Sequence, residues 1–324
     1  MTLGLTRRKA LALLGSLAPA AALGAGYPDR PVKLVVALAA GGPADTAARV
    51  FAPYLSEALG QSVFIENRTG ASSVVGTEAV VRATPDGYTL LSAGGAQLAV
   101  LPAISSRVGV DPAKEFTPVA RFMDSFQILV VHPSSPWMSV KDLVDYAKAN
   151  PGKLNYAHVG PGHLTHLAGE LFMQRTGTSL VGVAYRGGQD GLTAVLTQSV
   201  HLTIENVAVL LPLIREGKLR ALAVTSATRT SLAPDIPTMI EAGIADYDVT
   251  TFFGVVAPAS TPPAIIGTLN NAINAGLKTP EMQEIIMRMG AVPVVASPEA
   301  FGAKMVDDFR KWQAVAKAAN IKID

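Results

Sequence analysis

The sequence predicts an α/β fold of two lobes, in which each lobe is a mostly parallel sheet flanked by helices. Apolar runs of strand length alternate with segments of helical periodicity along nearly all of the 324 residues. Glycine-rich turns follow many of those runs and precede the next helix. Hydrophobic residues make up 49% of the chain and charged residues only 16%, so the chain can bury a large core.

The first lobe opens with a strand, a turn and a helix. Residues 32–38 are apolar almost throughout, as a buried parallel strand is, and residues 46–59 have helical spacing that ends at Gly60. The same alternation continues with predicted strands at 62–66 and 88–92 and a helix at 73–83.

A second series of elements begins near Gln127. It contains predicted strands at 128–131, 154–158, 180–185, 200–205 and 220–225, and helices at 140–150, 164–176, 190–198 and 209–216. The chain closes with an extended stretch at 248–256 and helices at 264–277, 281–289 and 298–320. We expect the chain to cross between lobes near 122–127 and 246–252. This gives a discontinuous lobe of residues 27–126 and 252–324 and a second lobe of residues 127–251.

The N-terminus predicts export. Arg7, Arg8 and Lys9 precede an apolar run at 10–23, and small residues then lead to Gly26. This pattern is typical of a cleaved signal peptide over residues 1–26, and the adjacent arginines favour the twin-arginine route. The alternative is an uncleaved anchor helix, but the run is short and rich in Ala and Gly for a membrane span. We therefore expect the mature protein in the periplasm.

Charge and cysteine content exclude several classes of function. Cleavage of the signal removes three basic residues and no acid, and so changes the formal net charge from +2 to −1. No basic excess then remains to indicate a nucleic-acid partner. The chain has no cysteine, which excludes disulfides, thiolate metal sites and a cysteine nucleophile.

The glycine-rich turns between strands and helices are the candidate binding site. Ligands of open α/β sheets lie beyond the carboxyl ends of the strands, where helix N-termini favour anions and glycine lets the backbone approach closely. Such turns predict an anion site made by main-chain N–H groups, although each glycine could equally serve only a tight turn. The candidate ligand-binding residues in these turns are Ala39, Ala40, Gly41, Gly42, Asp45, Ser72, Ser73, Gly94, Gly160, Gly162 and Tyr185.

Three ionisable side chains join these candidates. His158 and His163 flank the turn at 160–162, and we expect them either to line the anion pocket or to cap their own turn. With His166 they could ligate a metal, but their spacing matches no zinc motif and no metal is expected. Glu205 ends a predicted strand, where it could receive an amine or hydroxyl of a ligand or remain a solvated acid.

Motifs for cofactors and catalysis are missing from the sequence. The segment Gly160-Pro161-Gly162-His163-Leu164-Thr165 lacks the third glycine of the dinucleotide fingerprint, and no Walker A sequence occurs. Neither a G-x-S-x-G nor an H-E-x-x-H sequence is found. We therefore expect a protein without a cofactor that is not an enzyme.

The chain resembles the Bug-type receptors, the periplasmic substrate-binding proteins of tripartite tricarboxylate transporters. The similarity runs from Tyr27 to the C-terminus. It depends on Gly41-Gly42-Pro43-Ala44-Asp45-Thr46, Glu66-Asn67-Arg68, Pro85-Asp86-Gly87-Tyr88, His166-Leu167-Ala168-Gly169-Glu170 and Gly217-Lys218-Leu219-Arg220-Ala221.

The resemblance implies a flytrap fold of two α/β lobes that close on a small carboxylic acid. It implies that main-chain N–H groups and bridging waters from the turns at 39–45 and 158–166 hold the carboxylate. Membrane subunits of a tripartite tricarboxylate-type transporter would be the partners of a monomeric receptor. Two other functions remain open from the sequence, a ligand sensor for a signalling partner and an exported α/β hydrolase.

The chain departs from the family pattern near the predicted cleft. His158 and His163 stand where such receptors usually have Ser or Thr, and His201 and Glu205 stand where they usually have Asp. We expect these changes to affect which ligand is bound and not to affect the fold.

Overall fold

The computed structural model of the chain describes residues 26–105 and 110–323. The predicted signal peptide, residues 1–26, lies outside these residues except for Gly26, and the side chain of Ser72 also lies outside them. None of the helices in the described ranges is both long and apolar enough to cross a membrane.

The first elements agree with the predicted alternation, and their bounds differ by at most three residues. They are β1 (Val32–Val36), α1 (Pro43–Leu59), β2 (Val63–Asn67), α2 (Val74–Val81) and β3 (Thr89–Gly94). A single 3₁₀ turn at Ala71–Ser73 precedes α2, and a π-helical segment at Ala96–Val100 leads into the short α3 (Leu101–Ile104). A second short helix, α4 (Pro112–Glu115), precedes the next strand.

The strand β4 (Phe116–Val131) is four times longer than the sequence predicts. Only its last residues form a continuous apolar run, and Pro118, Arg121 and Asp124 interrupt the pattern before them. The pairing of β4 with β9 (Thr250–Pro258) is irregular after Pro118 and again after Arg121. Strand irregularities of this kind hide the alternation on which sequence prediction depends.

The remaining elements follow the predicted order. After β4 come α5 (Val140–Ala149), β5 (Asn155–His158), α6 (Leu164–Thr176), β6 (Val181–Ala184), α7 (Gly188–Leu196), β7 (Leu202–Asn206), α8 (Val207–Arg215) and β8 (Arg220–Val224). After β9 come α9 (Pro263–Leu277), α10 (Pro280–Arg288), β10 (Val292–Pro293) and α11 (Pro298–Ala318).

The ten strands form one sheet whose two halves share β4. The first half-sheet has the order β2-β1-β3-β9-β4-β10, and the second has the order β8-β4-β7-β5-β6. Most strands within a half-sheet run in one direction. The exceptions are β9 and the short β10 in the first half-sheet and β4 in the second. The assignment of residues to two lobes at 126/127 and 251/252 stays a prediction.

The chain passes between the half-sheets at Gln127 and just before β9. These two segments are hydrogen-bonded to each other through Thr225, which is fully buried. Its N–H donates to the Gln127 carbonyl at 3.0 Å, and the Gln127 N–H donates to Thr225 Oγ1 at 2.9 Å. The hydroxyl of Thr225 also donates to the Val249 carbonyl at 2.8 Å, just before β9 begins. One side chain therefore fixes the main chain where β4 passes from one half-sheet to the other.

The last helix, α11, packs against the first half-sheet. Phe301 is fully buried, and its ring meets that of Phe252 edge-on with centroids 5.3 Å apart. Gly254 lies beneath the same ring, because a Cβ built on it would be 2.5 Å from Phe301 Cζ and 2.7 Å from the Ala120 carbonyl oxygen. The close approach of α11 thus requires glycine at position 254.

We predict that Gly254→Ala lowers the free energy of unfolding by about 1–3 kcal/mol, because the added methyl group overpacks the contact with Phe301 and Ala120. The matched control is Gly267→Ala in α9, where no atom beyond the helix's own backbone lies within 4 Å of an added Cβ. That control should raise the stability by about 0.5–1 kcal/mol. Urea unfolding measures both. A Gly254→Ala protein as stable as the wild type would contradict the packing of α11.

Candidate functional site

A cavity of about 550 Å³ lies between the two half-sheets, at the ends of their strands. Leu38, Gly94 and Phe253 line it from the first half-sheet, and His163 and Glu205 line it from the second. A neighbouring cavity of about 330 Å³ shares part of this wall and adds Ser73 and Gly162. The shared residues are Leu38, Ala96, Gln97, His163, Leu164 and Thr251.

The turn after β1 is held by the carboxylate of Asp45, whose side chain is only 2% exposed. Asp45 Oδ2 accepts hydrogen bonds from the Gly41 N–H and from Arg49 Nε, both at 2.8 Å, and Oδ1 accepts one from Asn67 Nδ2 at 2.8 Å. The bond from Arg49 is the main cause that lowers the pKa of Asp45 to about 2, from a usual value of 3.8. Asp45 therefore shapes the turn, and its carboxylate already accepts three hydrogen bonds.

The start of α1 remains open to a ligand. Gly42 is the N-cap, so it contributes no side-chain cap, and Pro43 has no N–H. Within the described residues, the N–H groups of Ala44 and Asp45 have no acceptor. Ala44 lines the larger cavity, whereas Ala39, Ala40 and Gly41 are exposed and line neither cavity.

The backbone conformation explains the glycine at position 41 but not the one at position 42. Gly41 has φ of +84°, which favours glycine, but Gly42 has φ of −75°, which any residue adopts. A Cβ on Gly42 would meet only the Ala39 carbonyl oxygen, at an ordinary 3.5 Å. Neither conformation nor protein packing demands glycine at position 42, which agrees with a close approach by a ligand.

The turn after β5 uses imidazole nitrogens to bind its own main chain. The Gly160 N–H donates to His158 Nδ1 at 3.1 Å, and the Gly162 N–H donates to His166 Nδ1 at 3.3 Å. His163 is the N-cap of α6, and its Nδ1 accepts from the Thr165 N–H at 3.3 Å. The N–H groups of Gly160 and Gly162, predicted to hold an anion, are therefore already engaged.

Burial favours the neutral forms of the three histidines. Burial lowers the pKa of His163 and that of His158, and it lowers the pKa of His166 to about 4. Because Nδ1 of His163 accepts a main-chain N–H, its proton resides on Nε2, which becomes a donor. His163 lines both cavities, whereas His158 lines neither and stacks on His166 with ring centroids 4.4 Å apart.

The histidines of this turn are not arranged as a group of metal ligands in the described residues. Nδ1 of each histidine serves the turn, and in residues 26–105 and 110–323 no three His, Asp or Glu side chains are grouped as metal ligands are. The histidines therefore act as caps and donors.

The wall contributed by β4 and β7 is polar. Asn206 Nδ2 donates to Ser125 Oγ at 2.9 Å, and Asn206 Oδ1 caps α8 by accepting from the Ala208 N–H at 2.9 Å. Glu205 Oε1 accepts from the Asn206 N–H at 2.7 Å. Burial raises the pKa of Glu205, and that hydrogen bond opposes the rise. Gln127 completes this wall.

Of the remaining candidates, the cavities include Gly94 and Ser73 but not Tyr185. The Gly94 N–H donates to Gln97 Oε1 at 3.1 Å. Ser73 has φ of +84°, which is unusual for a residue with a side chain. Tyr185 packs against the core formed around Leu192. Gly160 likewise lines neither cavity.

The structure adds cavity residues that lie outside the glycine turns. Most sit on strands or in the π-helical segment, whereas Leu38 follows β1 and Met289 follows α10. The full set is Leu38, Gln97, Met123, Ser125, Gln127, Thr251, Phe253 and Met289. The length of β4, which places Met123 and Ser125, was not evident in the sequence.

Comparison with known proteins identifies the family. Residues 47–321 match the model of the tripartite tricarboxylate transporter family receptor. Protein BugT of Bordetella pertussis is 36% identical to this chain over 298 residues, which cover 92% of this chain and 91% of BugT.

Solved structures give the same result. Rpa4515 of R. palustris, determined with adipate, is 36% identical, with a TM-score of 0.73 over 91% of this chain and 99% of that one. MatC from Rhodopseudomonas palustris, determined with bound malate, is 28% identical, with a TM-score of 0.69 over 89% and 99%. A TctC solute binding protein from Polaromonas is 26% identical, with a TM-score of 0.83 over 90% and 99%.

These matches extend over about nine-tenths of the chain. The fold is the two-lobed α/β fold of periplasmic binding proteins, and the family is one of receptors rather than enzymes. The chain belongs to the tripartite tricarboxylate transporter receptor family.

Proposed function

We propose that the protein is a periplasmic receptor that binds a small carboxylic acid between its lobes and delivers it to a tripartite tricarboxylate-type transporter. The observation that carries this proposal is the cavity of about 550 Å³ lined from both half-sheets, in a chain of the receptor family. Two neighbours in the same family were solved with adipate and with malate, which are both carboxylates.

The carboxylate binds at the donor side of the cavity. The unbonded N–H groups at the start of α1 carry the partial positive charge of a helix N-terminus, and the Gly42 position leaves room for an anion. The Nε2–H of His163 supplies a donor from the opposite half-sheet. A carboxylate that contacts both would link the two lobes.

Closure follows from that linkage. A ligand shifts an open–closed equilibrium only by binding the closed state more tightly, and contacts to both lobes provide that difference. The main chain at the crossings is the natural hinge, since Thr225 holds β4 and the segment before β9 together. The receptor acts as a monomer, with membrane subunits of the transporter as its partners.

The route to the periplasm is the predicted signal peptide of residues 1–26. Arg7 and Arg8 favour the twin-arginine pathway, which exports proteins already folded.

We predict that a thermal-shift screen of small carboxylic acids, with adipate and malate among them, finds at least one that stabilises the protein. Specific binding adds about 2.7 kcal/mol to the stability when the free ligand is a hundredfold above Kd. The corresponding amides and alcohols serve as controls, because they lack the anion. Failure of every acid to raise the melting temperature would count against a carboxylate receptor.

We further predict that His163→Ser weakens binding of the acid found in that screen by about tenfold or more, since hydrogen bonds to charged groups contribute about 1.5–3 kcal/mol. Serine also caps helices, so α6 should persist. The matched control is His132→Ser, at a histidine that lines neither cavity and whose Nδ1 contacts Ser134. Calorimetry gives both affinities. Equal affinity in the wild type and His163→Ser would show that Nε2 does not contact the ligand.

A further inference from the structure

A cavity of about 420 Å³ lies behind the strands that pass between the half-sheets. Along β4, Ser125 lines the cavity of about 550 Å³, whereas its neighbours Asp124 and Phe126 line this one. In β9, Thr251 and Thr250 are divided between the two cavities in the same way. Because successive side chains of a strand point to opposite faces, the two cavities lie on opposite sides of the crossing strands. We call the cavity of about 550 Å³ the ligand cavity and that of about 420 Å³ the back cavity.

The walls of the back cavity come from both halves of the fold. Lys304 of α11 and Val292 of β10 line it from the first half-sheet. The segment 226–231, which follows β8, lines it from the second. In the part of the chain that the structure describes, no hydrogen bond or ion pair joins this segment to α11. The two walls are therefore free to move apart.

The wall formed by α11 is tied to the chain just before β9 by two lysines. Lys311 Nζ donates to the Asp248 carbonyl at 2.9 Å, and Lys304 Nζ lies 3.4 Å from Asp248 Oδ2. Asp308 of α11 is only 3% exposed, and its Oδ1 accepts from Lys311 at 2.8 Å and from Lys304 at 3.0 Å. This partly buried ion cluster holds Asp248 to the first half-sheet.

The next residue is held from the other side. The Val249 carbonyl accepts a hydrogen bond from Thr225, which directly follows β8 of the second half-sheet. The first crossing, at Gln127, is bonded to the same threonine. Both points at which the chain can turn therefore lie between the ligand cavity and the back cavity. A rotation about these points that narrows the ligand cavity widens the back cavity.

We infer that the width of the back cavity controls how tightly the ligand cavity binds its acid, and that a bulky side chain placed in the back cavity favours the closed form. This inference rests on the proposed function, because it concerns the regulation of the same site. The apparent affinity of a receptor is reduced by the fraction of molecules in the binding-competent form, so a wedge that raises the closed fraction tightens binding. The wedge needs no contact with the acid.

Calorimetry on the mature variant Ala227→Trp tests this coupling. Ala227 is exposed and lines the back cavity, so an indole there would occupy space between the segment 226–231 and α11. We expect adipate, malate or another acid that the thermal-shift screen finds to bind about fivefold or more tightly than to the wild type. The matched control is Ala314→Trp, at an exposed position of α11 that lines neither cavity, and it should leave the affinity unchanged.

A distance measurement reports the conformation without any acid. The chain has no cysteine, so spin labels on Ala58→Cys in α1 and Ala149→Cys in α5 give one interlobe distance by pulsed electron paramagnetic resonance. Both positions are exposed and line neither cavity. In the unliganded protein, Ala227→Trp should shift the distance distribution in the direction that an acid shifts the wild type, and Ala314→Trp should not.

The outcomes keep the two proposals apart. The inference requires tighter binding together with shifted distances, and the absence of either would overturn it and leave the receptor proposal intact. If no acid of the screen binds the wild type, the receptor proposal fails. In that case the inference is decided by whether Ala227→Trp shifts the distances of the unliganded protein. Ser231→Trp, in the same cavity wall, takes the place of Ala227→Trp if that variant does not fold.

Discussion

The hydrogen bonds of Thr225 are the constraint on which the cavity depends. Strand β4 belongs to both half-sheets, and Thr225 fixes it at Gln127, where it passes from one to the other. The same hydroxyl binds the Val249 carbonyl, so both passages of the chain are held at one point. Because the main chain of Gln127 is fixed there, its side chain has a defined position in the cavity wall. A hinge motion at this point changes the width of the cavity and leaves Gln127 in its position in the wall.

The two half-sheets differ in which hydrogen-bond donors they leave unbonded at the cavity. On the first half-sheet, Asp45 binds the turn before α1 and leaves the helix N–H groups free. On the second, imidazoles take up the main-chain donors at Gly160 and Gly162, so we propose that a side chain, His163, supplies the donor instead. Histidine at positions 158 and 163 thus changes the chemistry of this turn as well as its volume. Glu205 and Gln127 add polar side chains to the wall of the same cavity.

The sequence predicted the alternation of elements, the open start of α1 and the presence of His163 and Glu205 in the cavity wall. Local patterns sufficed there, because glycine turns and strand ends are set by neighbouring residues. The sequence could not show that the Gly160 and Gly162 N–H groups are already bonded, since that depends on ring orientations set by packing. Gln127 was also missed, because a glutamine beside an apolar strand gives no signal until β4 and β7 are paired. The interrupted pattern around Pro118 and Arg121 hid the first part of β4 for a similar reason.

The central claim is that one small acid bridges the two half-sheets in this cavity, and a crystal structure with the most stabilising acid tests it most directly. The account predicts carboxylate oxygens within about 2.7–3.2 Å of the Ala44 or Asp45 nitrogen and of His163 Nε2. Density for the acid elsewhere would contradict it. An example is the separate cavity of about 490 Å³ beside Thr117 and Gly302.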